Sequence, residues 1–225
     1  MKEEKGHQTD RRKFLVGMGI AGVAATATLS SPVLAAANNR CGTRWDQEHE
    51  LVIVGSGFAG LAAAIQAKRL GAKDVVIYEK MAVFGGNSAV NGGLFGVPDS
   101  PLQKKEGVKD SPEIMVTDQL KAGRGVADKE LLMHVAKNAG KALQMTLDAG
   151  AEYFPYLQQL GGHSVPRTYQ TTVAVGSGIT QPLLNECKKL GVRLVNRAKF
   201  DSLIFDDNGK VVGVKILEGH YFGRG

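Results

Sequence analysis

Residues 55–60 read G-S-G-F-A-G, three glycines at the spacing G-x-G-x-x-G, directly after the apolar run Leu51–Val54. That arrangement suits a phosphate. Gly55 lets the chain turn sharply off a strand. Gly57 leaves no side chain between a helix N-terminus and a pyrophosphate, and Gly60 lets the helix lie close to the strand. The N–H groups of the first turn, where Ala59 also sits, and the helix dipole then stabilise the negative charge. Glu79 stands 19 residues beyond Gly60, at the end of a second apolar run, and Lys80 follows it. A carboxylate at that place accepts hydrogen bonds from ribose hydroxyls. The glycines alone are weak evidence. With the strand before them, the helix after them and the acid at this distance, they argue for a dinucleotide site over a glycine turn without a ligand.

These features do not separate NAD from FAD. The next segment, "EKMAVFGGNSAVNGG", leans toward FAD. It sets Gly85-Gly86 and Gly92-Gly93 just past the ribose acid, where backbone N–H groups can approach a flavin diphosphate or ring. Asn87 and Ser88 add hydrogen-bonding side chains between the two pairs.

The elements that must position these groups follow from hydrophobic pattern. Short continuous apolar runs at 51–54 and 75–78 predict buried strands, and 192–195 a third short strand, together a parallel sheet. Residues 58–70 predict a buried helix ended by Gly71. The segment 84–100 reads as a glycine-rich loop. Helices are expected at 112–121 and 128–149. The second has Asp128 as N-cap and Leu131, Leu132, Val135, Ala139, Ala142, Leu143 and Leu147 on its apolar side, with Gly140 able to kink or divide it. Residues 153–176 read as irregular. A helix follows at 179–190 with Pro182 in its first turn. "DDNG" between the runs 200–205 and 211–216 predicts a hairpin. The expected fold class is α/β, a Rossmann-like FAD-binding domain with a parallel sheet and an added β-hairpin, expected to be incomplete.

The first 37 residues stand apart. Arg11-Arg12 precede a mildly apolar, Gly- and Ala-rich run, then Pro32 and Ala35-Ala36-Ala37. This resembles a twin-arginine export signal cleaved near Ala37, which implies a periplasmic protein and leaves residues 38–225 as the domain. The net charge of +6 includes no lysine–arginine tract, so nothing argues for nucleic acid. The two cysteines, Cys41 and Cys187, form no C-x-x-C-H haem motif, and no cluster of His, Cys and acids has metal-ligand spacing.

The stretch "VGSGFAGLAAAIQAKRLGAKDVVIYEKMAVFGGNSAVNGG", with "GGHSVPRTY" and "FDSLIFDDNGKVVGVKI", resembles the FAD-binding half of the fumarate reductase and succinate dehydrogenase flavoprotein family, and within it the exported fumarate reductase (flavocytochrome c) branch. The resemblance implies that Gly55, Gly57, Ala59 and Gly60 line the pyrophosphate and that Glu79, with Lys80 beside it, meets the adenosine ribose. It also implies that Gly86, Asn87, Ser88, Gly92 and Gly93 approach the flavin. The implied activity is reduction of a C=C bond conjugated to a carboxylate, by hydride from reduced flavin and a proton from a positioned arginine. Related flavoenzymes on the same pattern include ketosteroid dehydrogenases.

Several departures sharpen these expectations. Membrane-bound relatives attach FAD through a histidine after the second strand, but no histidine lies between His49 and His134, so non-covalent FAD is expected. Without a haem motif, electrons would come from a separate donor such as a cytochrome c. Relatives place a substrate-binding histidine just after S-V-x-R, where this chain has Tyr169. A small unsaturated carboxylate other than fumarate is therefore expected, with His163, Arg167 and Tyr169 as substrate candidates. For Arg167 a structural ion pair is the competing reading. No catalytic residue is assigned, because the family's proton-donating arginine lies beyond the matching stretch. The capping domain and a strand beside the first one are expected to be absent from these 225 residues, leaving an unpaired apolar edge. A complementary polypeptide would then complete the chain, either as an enzyme or as a non-catalytic FAD-binding module.

Overall fold

A computed structural model of the chain describes residues 44–221. The arginine-pair segment, the cleavage site near Ala37 and Cys41 lie outside the described residues.

Three short strands, β1 (Leu51–Val54), β2 (Val75–Tyr78) and β5 (Arg193–Val195), form a parallel sheet in the order β1-β2-β5. Leu51 pairs with Val75 and Val54 with Tyr78, while Val76 pairs with Arg193. Both faces of β2 are buried, as its unbroken apolar sequence requires. On one face, helix α1 (Phe58–Arg69) and helix α6 (Ser177–Lys189) pack Leu61, Ile65, Leu183 and Cys187 onto Val75 and Ile77. Burial, then the neighbouring Glu186 charge, pushes the Cys187 thiol up to about 12, which makes it an inert core residue. On the other face Val76 and Tyr78 meet Ala198 and Ile216 of the hairpin β6 (Ala198–Phe205) and β7 (Val211–Glu218). Asp206 closes that hairpin by accepting from the N–H groups of Asn208 and Lys210. Among the described residues strand β1 has one hydrogen-bonded neighbour, β2, and Val54 at its end is 50% exposed.

The middle of the chain builds a second layer. It contains α2 (Gly86–Val90), β3 (Leu94–Gly96), α3 (Pro101–Lys105), α4 (Pro112–Ala122), α5 (Lys129–Asp148) and β4 (Thr168–Gln170). Strand β3 pairs antiparallel with β4, placing Phe95 opposite Tyr169. Asp128 caps α5 by accepting from the N–H groups of Glu130 and Leu131.

The structure corrects four local expectations. Residues 84–100 are not only loop, because α2 and β3 form within them. Residues 153–176 contain β4 and two bridges, Tyr153 to Thr171 and Gln158 to Thr168. Helix α5 runs unbroken through Gly140, and its buried face carries Ala136, Ala139, Leu143 and Thr146. Leu131, Val135 and Leu147 are exposed, a rotation of the expected face. Helix α6 begins at Ser177, so Pro182 lies inside it and beyond the first turn. Its start is disguised by Gly176, where a Cβ would come within 2.0 Å of the Ser88 carbonyl oxygen.

Candidate cofactor site at the first glycine turn

The glycine loop sits where β1 hands over to α1. Gly55 has φ +94°, the left-handed region that other residues rarely adopt, and its N–H donates to the Tyr78 carbonyl at 2.8 Å. A Cβ on Gly60 would stand 2.0 Å from the Gly55 carbonyl oxygen, so α1 reaches its strand only because that position is glycine. Gly57 is the N-cap of α1 and offers no side-chain cap. Phe58 N–H donates to Ser88 Oγ at 3.1 Å. Among the described residues the N–H groups of Gly57, Ala59 and Gly60 find no acceptor. A helix N-terminus with unspent donors and a glycine doorway has the donor set a pyrophosphate needs.

Glu79 ends β2 with its backbone pinned between β5 and β6: its N–H donates to Val195 and its carbonyl accepts from Ala198. Its side chain is buried. Oε2 accepts from Ser56 N–H at 2.9 Å and from Ser56 Oγ at 2.6 Å, and Oε1 accepts from Met81 N–H at 2.9 Å. Burial alone would raise this carboxyl's pKa, but the hydrogen bonds from Ser56 and Met81 outweigh it and hold the pKa below the usual range. A carboxylate so held stays ionised at neutral pH, ready to accept from ribose hydroxyls. Lys80 beside it is exposed.

The second glycine pairs are ordered by short-range bonds. Gly86 opens α2, Asn87 is exposed on it, and Ser88 turns back to α1. Asn91 donates to the Ser88 carbonyl and accepts from Gly93 N–H, each at 2.8 Å. Gly93 is buried at φ +64°, while Gly92 is exposed. Of the sequence-predicted cofactor residues, the glycine turn, Glu79 and Ser88 are brought together at the end of β1 and β2, through bonds of Ser56 and Phe58.

The substrate candidates do not converge on it in the same way. Arg167 is fully buried. Its Nε and Nη2 donate to both oxygens of Asp110 at 2.8 and 3.0 Å, and Nη1 donates to Asp118 at 2.6 Å. Burial opposes the charges, yet the mutual hydrogen bonds win. They hold the Asp110 pKa down and the Arg167 pKa up, and with the Ser164 N–H bond leading they hold the Asp118 pKa down. The guanidinium is committed to a structural ion pair and is not presented to a ligand carboxylate. Tyr169 is buried against Tyr153, Ala139 and Leu143, and its hydroxyl accepts from Leu102 N–H at 3.4 Å. His163 lines a cavity of about 390 Å³ with Lys121 and Ser164. Burial, then the Arg167 charge, lowers its pKa and favours the neutral ring.

Sequence reasoning missed Ser56, Asn91, Asp110 and Asp118. For Ser56 the available signal was a lone polar residue inside the glycine fingerprint. The two aspartates gave none, because their partner lies 57 and 49 residues away.

Comparison with known proteins decides the family, because the FAD binding domain family matches residues 50–220. The chain belongs to the FAD binding domain family. It is 65% identical over 214 residues to the acrylate reductase flavoprotein subunit of Shewanella woodyi, a match covering 95% of this chain and 42% of that protein. The open conformation of a flavocytochrome c3 fumarate reductase superposes with TM-score 0.73 at 28% identity, covering 78% of this chain and 31% of that one. The 3-ketosteroid-Δ4-(5α)-dehydrogenase of Rhodococcus jostii RHA1 superposes with TM-score 0.69 at 28% identity, covering 80% and 44%. The chain thus spans less than half the length of each of these proteins. Its relatives named here are reductase and dehydrogenase flavoproteins, and what it shares with them is the FAD-binding fold. Among the described residues no helix is long and apolar enough to cross a membrane, and no group of His, Cys, Asp and Glu could hold a metal.

Proposed function

We propose that this chain supplies the FAD-binding part of a reductase that saturates the C=C bond of a small α,β-unsaturated carboxylate of the acrylate type. The observation that carries the reading is the 65% identity to an acrylate reductase flavoprotein subunit across nearly the whole chain. Bound FAD supplies hydride chemistry. The residues of this chain would hold it: the unspent N–H groups of Gly57, Ala59 and Gly60 would meet the pyrophosphate and Glu79 the ribose. The loop from Glu79 to Gly85 contains no histidine, which supports non-covalent attachment.

None of the described residues is assigned as proton donor. The edge of β1 away from β2 would be paired, and the active site completed, by further polypeptide. Electrons would arrive from a separate donor, a cytochrome c in the periplasm, after export through the twin-arginine route. The assay is oxidation of reduced viologen by the assembled protein with acrylate, fumarate and a 3-ketosteroid. Acrylate turnover well above the other two is expected. With an oxidised dye in place of reduced viologen, dye reduction by the 3-ketosteroid without acrylate or fumarate turnover would favour the dehydrogenase relationship, and inactivity of an FAD-loaded assembly in both assays would favour a non-catalytic FAD module.

A further inference from the structure

Ser56 occupies the first variable position of the glycine fingerprint, where any small residue would satisfy the spacing. It is fully buried, yet every polar atom it brings is engaged except its carbonyl. Its N–H and Oγ both donate to Glu79 Oε2, at 2.9 and 2.6 Å, and the same Oγ accepts from Gly85 N–H at 2.9 Å. Those three bonds join three separate segments: the β1–α1 turn that carries Ser56, the end of β2, and the glycine pair that opens α2. We propose that Ser56 is a positioning residue for the adenosine end of FAD, a hydroxyl latch that fixes the ribose acid and the Gly85-Gly86 turn to the phosphate loop as one unit. This rests on the FAD reading above.

The latch also chooses between the two carboxylate oxygens. An ionised carboxyl has about four lone-pair sites. Oε2 receives two bonds from Ser56, and Oε1 receives one from Met81. Oε1 is therefore the oxygen with room for a ribose hydroxyl. The Ser56 bonds orient it, and they keep the acid ionised, in keeping with its lowered pKa. A buried hydroxyl bonded to a charged acceptor is among the stronger hydrogen bonds, and removing it leaves Gly85 N–H without its acceptor.

The test uses the full chain with Ser56→Ala, Glu79→Gln and the double variant. Two readouts are taken: carbon-13 carboxyl titration of Glu79 in the ligand-free chain, and FAD affinity from quenching of flavin fluorescence. In Ser56→Ala the Glu79 titration should move to higher pH. FAD affinity should fall about tenfold at neutral pH, and Ser56→Ala should cost markedly less once Glu79 is Gln, leaving only the lost acceptor of Gly85 N–H. An unchanged Glu79 titration, or equal losses with and without Glu79, would overturn the latch. If the parent chain takes up no FAD while its Glu79 still titrates low and shifts in Ser56→Ala, the FAD reading fails and the latch stands. Ser56→Cys, a weaker donor of similar size, should fall between Ser56 and Ala in both readouts.

Discussion

Two polar regions of this chain look alike in composition and differ in what they have left to give. Around Arg167, every charged group is matched: one guanidinium, two carboxylates, and hydrogen bonds from Ser164 and Gln103 closing the rest. Around Gly57, the backbone keeps donors without acceptors and the one acid keeps an oxygen partly free. The first region stabilises the fold, and the second has donors that a ligand could use. A charged residue is therefore a poor guide to a binding site, whereas an unspent donor at a glycine turn is a good one. Arg167 illustrates the point, since sequence alone made it a substrate candidate.

Acid should break both regions at once, with the largest effect. The folded-state pKa values of Asp110, Asp118 and Glu79 lie below their ordinary ones. Their stabilisation is complete above the ordinary carboxylate range and is lost as pH falls through the lowered values. Circular dichroism should show a cooperative loss of structure in acid, with no comparable loss between pH 6 and 8.

Arg167→Met should be the most damaging single substitution, because it strands two buried carboxylates. Breaking such a pair costs about 3–5 kcal/mol, measurable by urea unfolding, while FAD affinity of the fraction still folded should change little. Gly60→Ala reverses the emphasis. The new Cβ must push α1 off the Gly55 carbonyl, and overpacking of this kind costs about 1–3 kcal/mol, with FAD binding lost alongside. Tyr169→Phe should be the mildest. It removes a long hydrogen bond in a packed aromatic contact, so thermal melting should register about 1 kcal/mol or less, and FAD affinity should hold.

What the sequence made legible follows the range of the interactions. Strands β1 and β2, helix α1, the Asp128 cap and the hairpin were readable because each is written in neighbouring residues: an apolar run, a cap, a turn. Glu79 was readable because its distance from Gly60 is set by one helix and one strand. Strand β4 was not, since its pairing partner β3 lies more than 70 residues earlier and both are three residues long. The buried face of α5 was misread because Leu131 and Val135 are apolar yet exposed, while Ala136 and Thr146 do the packing. Ser56 joins segments 23 and 29 residues away, and no local pattern announces that.

The central claim is that the turn at residues 55–60 holds FAD without a covalent bond. The most direct measurement is titration of the 225-residue chain with FAD, followed by acid precipitation. Saturable uptake that NAD does not compete with, and that Gly57→Val abolishes, is predicted, with all the flavin recovered in the acid supernatant. Uptake of NAD in place of FAD, or flavin remaining with the precipitated protein, would contradict the account.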